Sequence, residues 1–306
     1  VEMGQLIAGP FAGKTLGEFG AEVIKIEAPG AGDPLRNWRM IKDGTSVWWQ
    51  VQSRNKRSLA LDLRQAEGQA IARKLIAEAD VLIENYKAGS LAKYGLDYAS
   101  LSQVNPRLVY CSITGFGQTG PRAEEPGYDF IIQGMGGLMS VTGEKDGVPG
   151  AGPQKVGVAV ADVMTGLYST VAIQAALLAR EKTGRGQHCD MALLDVQVAA
   201  LGNQSQNYLS TGRSPGRQGN AHVNIVPYQV FTASDMDFII ACGNDTQFVA
   251  LCDAIGLPEL PLSTVSPDGS GILLSNDGAP KVVTSGSADD PLAAALAGAV
   301  NAANPA

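Results

Sequence analysis

Short β-branched runs alternate with stretches of helical periodicity from the start of the chain. MGQLI (3–7) reads as a strand, a helix follows from Phe11 to Phe19, Gly20 stops it, and AEVIKIE (21–27) is the next strand. The alternation resumes with LALDL (59–63) and a helix from Ala66 to Ala79, whose Ile71, Leu75 and Ile76 share one face. DVLIENY (80–86) and LVYCSIT (108–114) are the following strands. This order predicts an α/β fold, a doubly wound, mostly parallel Rossmann-like sheet.

Farther along, the apolar stretch Val156 to Ala179 contains Asp162 and Gln174, and it reads as a buried helix ending near Arg180 instead of a membrane span. TGRGQ is a turn, QHCDMAL a strand, and Leu194 to Leu209 a helix; further strands lie near PYQVF and DFIIACG. The expected organisation is a large α/β domain over 1–209, a Gly-, Ser- and Arg-containing linker over 210–225, and a partial small α+β domain over 226–256. No aromatic residue follows Phe248, and 257–306 is dominated by Ala, Gly, Ser, Pro and Asp, which reads as an atypical, disordered tail. No basic, apolar leader opens the sequence, and Val1 to Ile7 look like a strand entered partway, as in a fragment.

Composition narrows the function classes. With 306 residues, 45% of them hydrophobic and 17% charged, the chain can form one large domain and part of a second. A net charge of -7 argues against a nucleic-acid or anionic-membrane partner and for a small molecule. Cys111, Cys189, Cys242 and Cys252 form no CxxC pair and read as reduced core thiols of a cytoplasmic protein. His188 and His222 are the only histidines, so no metal site is expected and Ser–His–Asp chemistry is poorly supplied.

Two nucleotide-binding patterns fail on context. AGPFAGKT (8–15) starts with Ala8 where a phosphate loop has glycine, and Pro10 removes a backbone donor. GFGQTG (115–120) follows a strand, but Pro121, Pro126 and Gly127 prevent the long helix that a dinucleotide site needs. Residues 28–58 carry Arg36, Arg39, Lys42, Arg54, Lys56 and Arg57 among Trp38, Trp48 and Trp49, a patch that suits an anionic ligand or an ordinary solvated surface. Asp162 is the one charged residue of VGVAVADVMTGLYSTV; such an isolated carboxylate is costly unless paired, capping a helix, or used.

AGPFAGKTLGEFGAEVIKIEAPGAGDPLR, RNKRSLALDL, ADVLIENYKAG, GFGQTGP, GYDFIIQGMGGLMSVTG, VGVAVADVMTGLY and REKTGRGQHCDMALLD, in this order, resemble the class III (CaiB/BaiF-type) CoA-transferases. That family includes formyl-CoA, carnitine and succinyl-CoA-dependent transferases, with α-methylacyl-CoA racemases as cousins. The likeness covers most of residues 1–256 and makes Asp162 the catalytic carboxylate, forming first a mixed anhydride and then an aspartyl-CoA thioester. It implies an acyl-CoA thioester donor as substrate, a small carboxylic acid as acceptor, no tightly bound cofactor, and an interlocked homodimer. It also implies CoA contacts from Arg36, Lys56, Arg57, Asn85, Tyr86 and Lys93. A helix start beside Asp162 would keep it ionised, and backbone N–H groups of Gly136 and Gly137 are candidate oxyanion donors.

The racemases carry a histidine where this chain has Tyr128, also a candidate positioning residue, and a tyrosine is a poor base at neutral pH. Transfer is therefore the expected reaction, with a racemase-like enzyme or an inactive CoA-binding fragment as the alternatives. Ile7 stands where the formyl-CoA branch has glutamine, and PGAGPQ lengthens the approach to Lys155 and Asp162. Both imply a different acid pocket, which leaves a dicarboxylate acceptor or a succinyl donor open.

Overall fold

The computed structural model describes residues 1–256; the expected disordered tail, 257–306, lies outside them. In chain order the elements begin with α1 (Ala8–Glu18), β1 (Val23–Glu27), β2 (Ile41–Lys42), β3 (Thr45–Ser46), α2 (Val47–Gln52), β4 (Lys56–Ala60) and α3 (Ala66–Ala77). Next come β5 (Val81–Glu84), α4 (Tyr98–Val104), β6 (Val109–Thr114), α5 (Asp129–Met135), α6 (Leu138–Val141), α7 (Val160–Thr183) and β7 (His188–Ala192). The remainder are α8 (Leu193–Ala200), α9 (Asn203–Thr211), β8 (Tyr228–Thr232), β9 (Asp237–Ala241) and α10 (Asp245–Ala254).

Val1–Met3 complete the main sheet. Glu2 bridges in parallel to Lys25 of β1 and to Ile83 of β5. The Glu2 N–H donates to Ile24 O and the Met3 N–H to Ile83 O, both at 2.8 Å. With the parallel pairs β1–β4, β5–β6 and β6–β7, the order becomes β4, β1, the N-terminal segment, β5, β6, β7. Numbered by appearance in the chain this is 3-2-1-4-5-6, the doubly wound order, whose reversal point lies between the N-terminal segment and β5. The strand expected at 3–7 thus lies slightly earlier, and α1 begins at Ala8 instead of Phe11, with Pro10 tolerated in its first turn.

Alternate strand residues supply two cores. Ile83, Val109, Cys111 and Ile113 pack with Ala8 and Ala12 of α1 and Ile173 and Ala176 of α7. Leu82, Tyr110, Met3 and Ile26 pack on the other face with Ala72 and Ile76 of α3 and Leu101 of α4. Both faces are covered, as a parallel sheet requires. The α7 helix is long and apolar enough to cross a membrane by length and composition. It instead packs along α1, α5, α8, β6 and β7.

Near the end of α7, Arg180 bonds Asp80 at 2.9 Å and Arg107 O at 3.2 Å, just before β5 and β6. The helix therefore runs back from the carboxyl edge of the sheet, and its first turn, with Asp162, lies at that edge. Two expected elements differ. The strand expected at 59–63 is Lys56–Ala60, because its alternation begins with charged residues that an apolar count omits. The helix expected over 194–209 is divided into α8 and α9 by Gly202, at φ +56°.

The described residues fall into two compact units, Val1–Met139 with Lys155–Ser214, and Ser140–Gln154 with the chain from Pro215. Ser140–Gln154, expected within the 1–209 domain, groups with the second unit. There Arg217 donates to Glu144 O at 3.2 Å and pairs with Asp146, and β8 and β9 form an antiparallel hairpin.

Candidate active site

The α7 helix begins without a cap of its own, since Ala159 at its N-cap makes no side-chain hydrogen bond. Asp129, the first residue of α5, supplies one: its Oδ1 accepts the Ala161 N–H at 2.9 Å. Asp129 Oδ2 accepts from Gln133 Nε2 at 2.8 Å, and Gln133 Oε1 accepts the Val156 N–H at 2.8 Å. Gln133 is fully buried. One turn of α5 thus holds the chain where it enters α7.

Asp162 sits in the first turn of that helix, partly buried. Among the described residues no hydrogen-bond donor or cation reaches its carboxylate. Burial first, and the nearby charge of Asp129 second, push its pKa up to about 7. The expectation that the helix start keeps it ionised is reversed: Asp129 already occupies a donor there, and desolvation opposes a second charge.

Two glycines bring α5 to this position. A Cβ on Gly115 would lie 2.5 Å from the Cα of Gly127, so the loop after β6 closes with backbone against backbone. The same loop is anchored to β7 by a 2.9 Å bond from the Gln118 N–H to Asp190. GFGQTG therefore shapes a loop between β6 and α5 and opens no helix at its last glycine. AGPFAGKT likewise forms α1 itself, with Lys14 buried and 3.4 Å from Glu18.

Tyr128 precedes α5 and is 62% exposed. The Gly136 N–H donates to Ile132 O at 2.7 Å and the Gly137 N–H to Gly134 O at 3.5 Å. Both expected oxyanion donors thus point into the end of α5.

The expected CoA contacts divide between the two edges of the sheet. Arg36 follows β1, and Asn85, Tyr86 and Lys93 follow β5, all on the carboxyl side. Asn85 spans the reversal point: its Oδ1 accepts the Gln5 N–H at 2.7 Å and its Nδ2 donates to Gln5 O at 2.8 Å. Tyr86 packs on the α3-side core, and exposed Lys93 lies 4.8 Å above the Tyr94 ring. Arg36 grips Glu27 through two 2.8 Å bonds and lies 4.0 Å from the ring centre of Trp49. Against burial, Arg36, Ser58 and the Asp33 N–H bring the Glu27 pKa down to about 2.

Lys56 and Arg57 begin β4 at the opposite edge. Arg57 pairs with Glu22 at 2.7 Å on the surface. Lys56 turns inward, 2.7 Å from both Glu2 and Pro10 O. Lys25 lies beside it, 2.8 Å from Glu2 and 3.0 Å from Asp33. Asp33 in turn accepts the Leu6 N–H at 3.2 Å and helps to hold Leu6 at φ +62° in the loop before α1. Neither this network nor the Asp129–Gln133 pair was found from the sequence; an Asp and a Gln four apart on one helix face was the available signal.

The sequence matches CoA-transferase family III over residues 1–271. The chain belongs to that family. It is 53% identical over 264 residues to the succinate–glutarate CoA-transferase of Agrobacterium fabrum, covering 84% of this chain and 65% of that protein. It is 42% identical to the human succinyl-CoA:glutarate CoA-transferase, covering 85% of this chain and 59% of the human one. The chain thus spans somewhat under two thirds of the length of these relatives. A crystal structure of a CAIB/BAIF family protein from Brucella suis superimposes with TM-score 0.74 at 54% identity, covering 85% of this chain and 68% of that one. This family III relationship agrees with the α/β fold and its parallel sheet.

Proposed function

We propose that the chain carries the CoA-handling portion of an acyl-CoA:carboxylate CoA-transferase, with Asp162 as the nucleophile. The observation that carries this reading is the carboxyl of Asp162 itself: desolvated, met by no cation among the described residues, and raised to about 7. A more basic carboxylate is a better nucleophile once ionised, and a perturbed group at the carboxyl edge of a doubly wound sheet is a reactive-site candidate.

An Asp162 oxygen attacks the thioester carbonyl of the donor, the C–S bond breaks, and CoA leaves as thiolate with a mixed anhydride in its place. The thiolate then attacks the aspartyl carbonyl and expels the donor acid, leaving aspartyl-CoA. The acceptor carboxylate reverses both steps: it displaces the thiolate to form a second anhydride, and the thiolate attacks the acceptor acyl group, returning Asp162 as carboxylate. No proton needs to be moved in any step, consistent with a site in which no histidine among the described residues acts on Asp162.

The activities for which the relatives are named make succinyl-CoA the first donor and glutarate the first acceptor to test. In the same proposal Asn85, Tyr86 and Lys93 line the approach of CoA, with Arg36 beside them. Leu167, Tyr168, Val171 and Leu178, exposed along α7, belong to a subunit interface of a homodimer. Tyr128 in place of histidine supports transfer over racemisation.

Intact-protein mass spectrometry after incubation with succinyl-CoA tests the reading. A CoA adduct that Asp162→Asn removes is the expected result. A folded chain that takes up no adduct from any acyl-CoA would instead make it a CoA-binding fragment.

A further inference from the structure

We propose that Asp129 and Gln133 are positioning residues for Asp162, fixing the first turn of the helix that carries it while placing a second carboxylate beside it. The proposal rests on the reading of Asp162 as the nucleophile. Three contacts carry it: Asp129 Oδ1 to the Ala161 N–H at 2.9 Å, Asp129 Oδ2 to Gln133 Nε2 at 2.8 Å, and Gln133 Oε1 to the Val156 N–H at 2.8 Å. They reach the chain on both sides of Ala159, where α7 has no cap of its own. An acid from another helix therefore does the work of a local cap, 32 residues away in sequence.

Capping alone would be served by serine or asparagine. A carboxylate adds a charge, and its effect falls on Asp162. Of the elements packed on α7, α5 supplies Asp129, the one charge among the described residues that acts on Asp162. Lys14 and Glu18 of α1 face each other, while Asp195 of α8, Cys111 of β6 and His188, Cys189 and Asp190 of β7 add none. Two carboxylates near one helix start compete for the same favourable potential, so the charge of Asp129 disfavours ionisation of Asp162. Asp129 thus maintains the basicity of Asp162 and holds its backbone still, both of which favour nucleophilic attack.

The cap and the charge can be separated. Asp129→Asn removes the charge but sets an amide donor against the Gln133 donor. Asp129→Asn with Gln133→Glu restores acceptors for Ala161 and Val156 and moves the charge one helical turn away. The experiment is a 13C NMR titration of the Asp162 carboxyl in the full 306-residue chain, assigned by its loss in Asp162→Asn, with amide exchange at Ala161 read alongside.

The midpoint near 7 in the unmodified chain should fall by about one unit in Asp129→Asn. Ala161 exchange should quicken in that single variant and slow again in the double one. Where the single variant does not fold, the double variant carries the test: its midpoint lies below that of the unmodified chain, and the pH profile of succinyl-CoA adduct formation moves with it. A folded variant whose midpoint and Ala161 exchange both match the unmodified chain overturns the proposal. If adducts form equally well in Asp162→Asn, the nucleophile assignment fails, while the titration still decides whether Asp129 acts on Asp162.

Discussion

Two neighbourhoods of the large unit bury carboxylates, and they treat the charge in opposite ways. At the first strand, Glu2 and Asp33 meet Lys25 and Lys56. Burial would lower the pKa of Lys25, but Glu2 and Asp33 together raise it. At the start of α7, Asp162 has another carboxylate as its neighbour and is raised to about 7. A buried ion pair offsets its desolvation by attraction and fixes a loop, here the one holding Leu6 at φ +62°. A carboxylate denied a counter-ion holds its loosely solvated electrons ready for an electrophile. The same residue type is structural in one place and reactive in the other because of what surrounds it.

The strongest way to break this comparison is at the reactive carboxylate. Asp162→Asn should cut adduct formation about a thousandfold or more with the fold unchanged, as loss of a covalent nucleophile does. The balanced network should respond in stability instead. Lys25→Met leaves Asp33 without its ion-pair partner and Glu2 with Lys56 alone, and should cost about 3–5 kcal/mol by urea denaturation. A loss under about 1 kcal/mol would make that network dispensable.

Glu27→Gln, which weakens the paired grip on Arg36, should cost less, about 1–3 kcal/mol in the same measurement.

The smallest effect sharpens the contrast in sign. The folded pKa of Asp162 exceeds its ordinary value of 3.8, so the stability contributed by its protonated form is fully present below 3.8 and lost as pH rises through about 7. Asp162→Asn should therefore raise Tm at pH 8 and leave it unchanged at pH 3.5. A Tm that falls at pH 8 would show a stabilising partner for Asp162.

Much of this was legible in the sequence because it is local. Asp162 stood out as a lone charge on an apolar helix, β5 and β6 were visible as runs containing Val, Ile and Leu, and β7 was visible within QHCDMAL. What was hidden is long-range. Lys56 read as one more cation of a surface patch, and only the parallel register beside Val23 and Glu2 turns it inward. Tyr128 is legible in GYD as a difference from histidine, while Asp129 reaches Ala161 through a fold that no periodicity encodes. The first strand, expected at 3–7, lies slightly earlier because it ladders through a few residues, and its hydrogen bonds exist only with β1 and β5 on either side.

Adduct formation from succinyl-CoA, followed by intact mass from pH 5 to pH 9, tests the central claim most directly. The account predicts a CoA adduct on Asp162 whose rate of formation rises with pH about a midpoint near 7, where the carboxyl ionises, and which vanishes in Asp162→Asn. An adduct that survives Asp162→Asn, or a rate already at its plateau at pH 5, would contradict it.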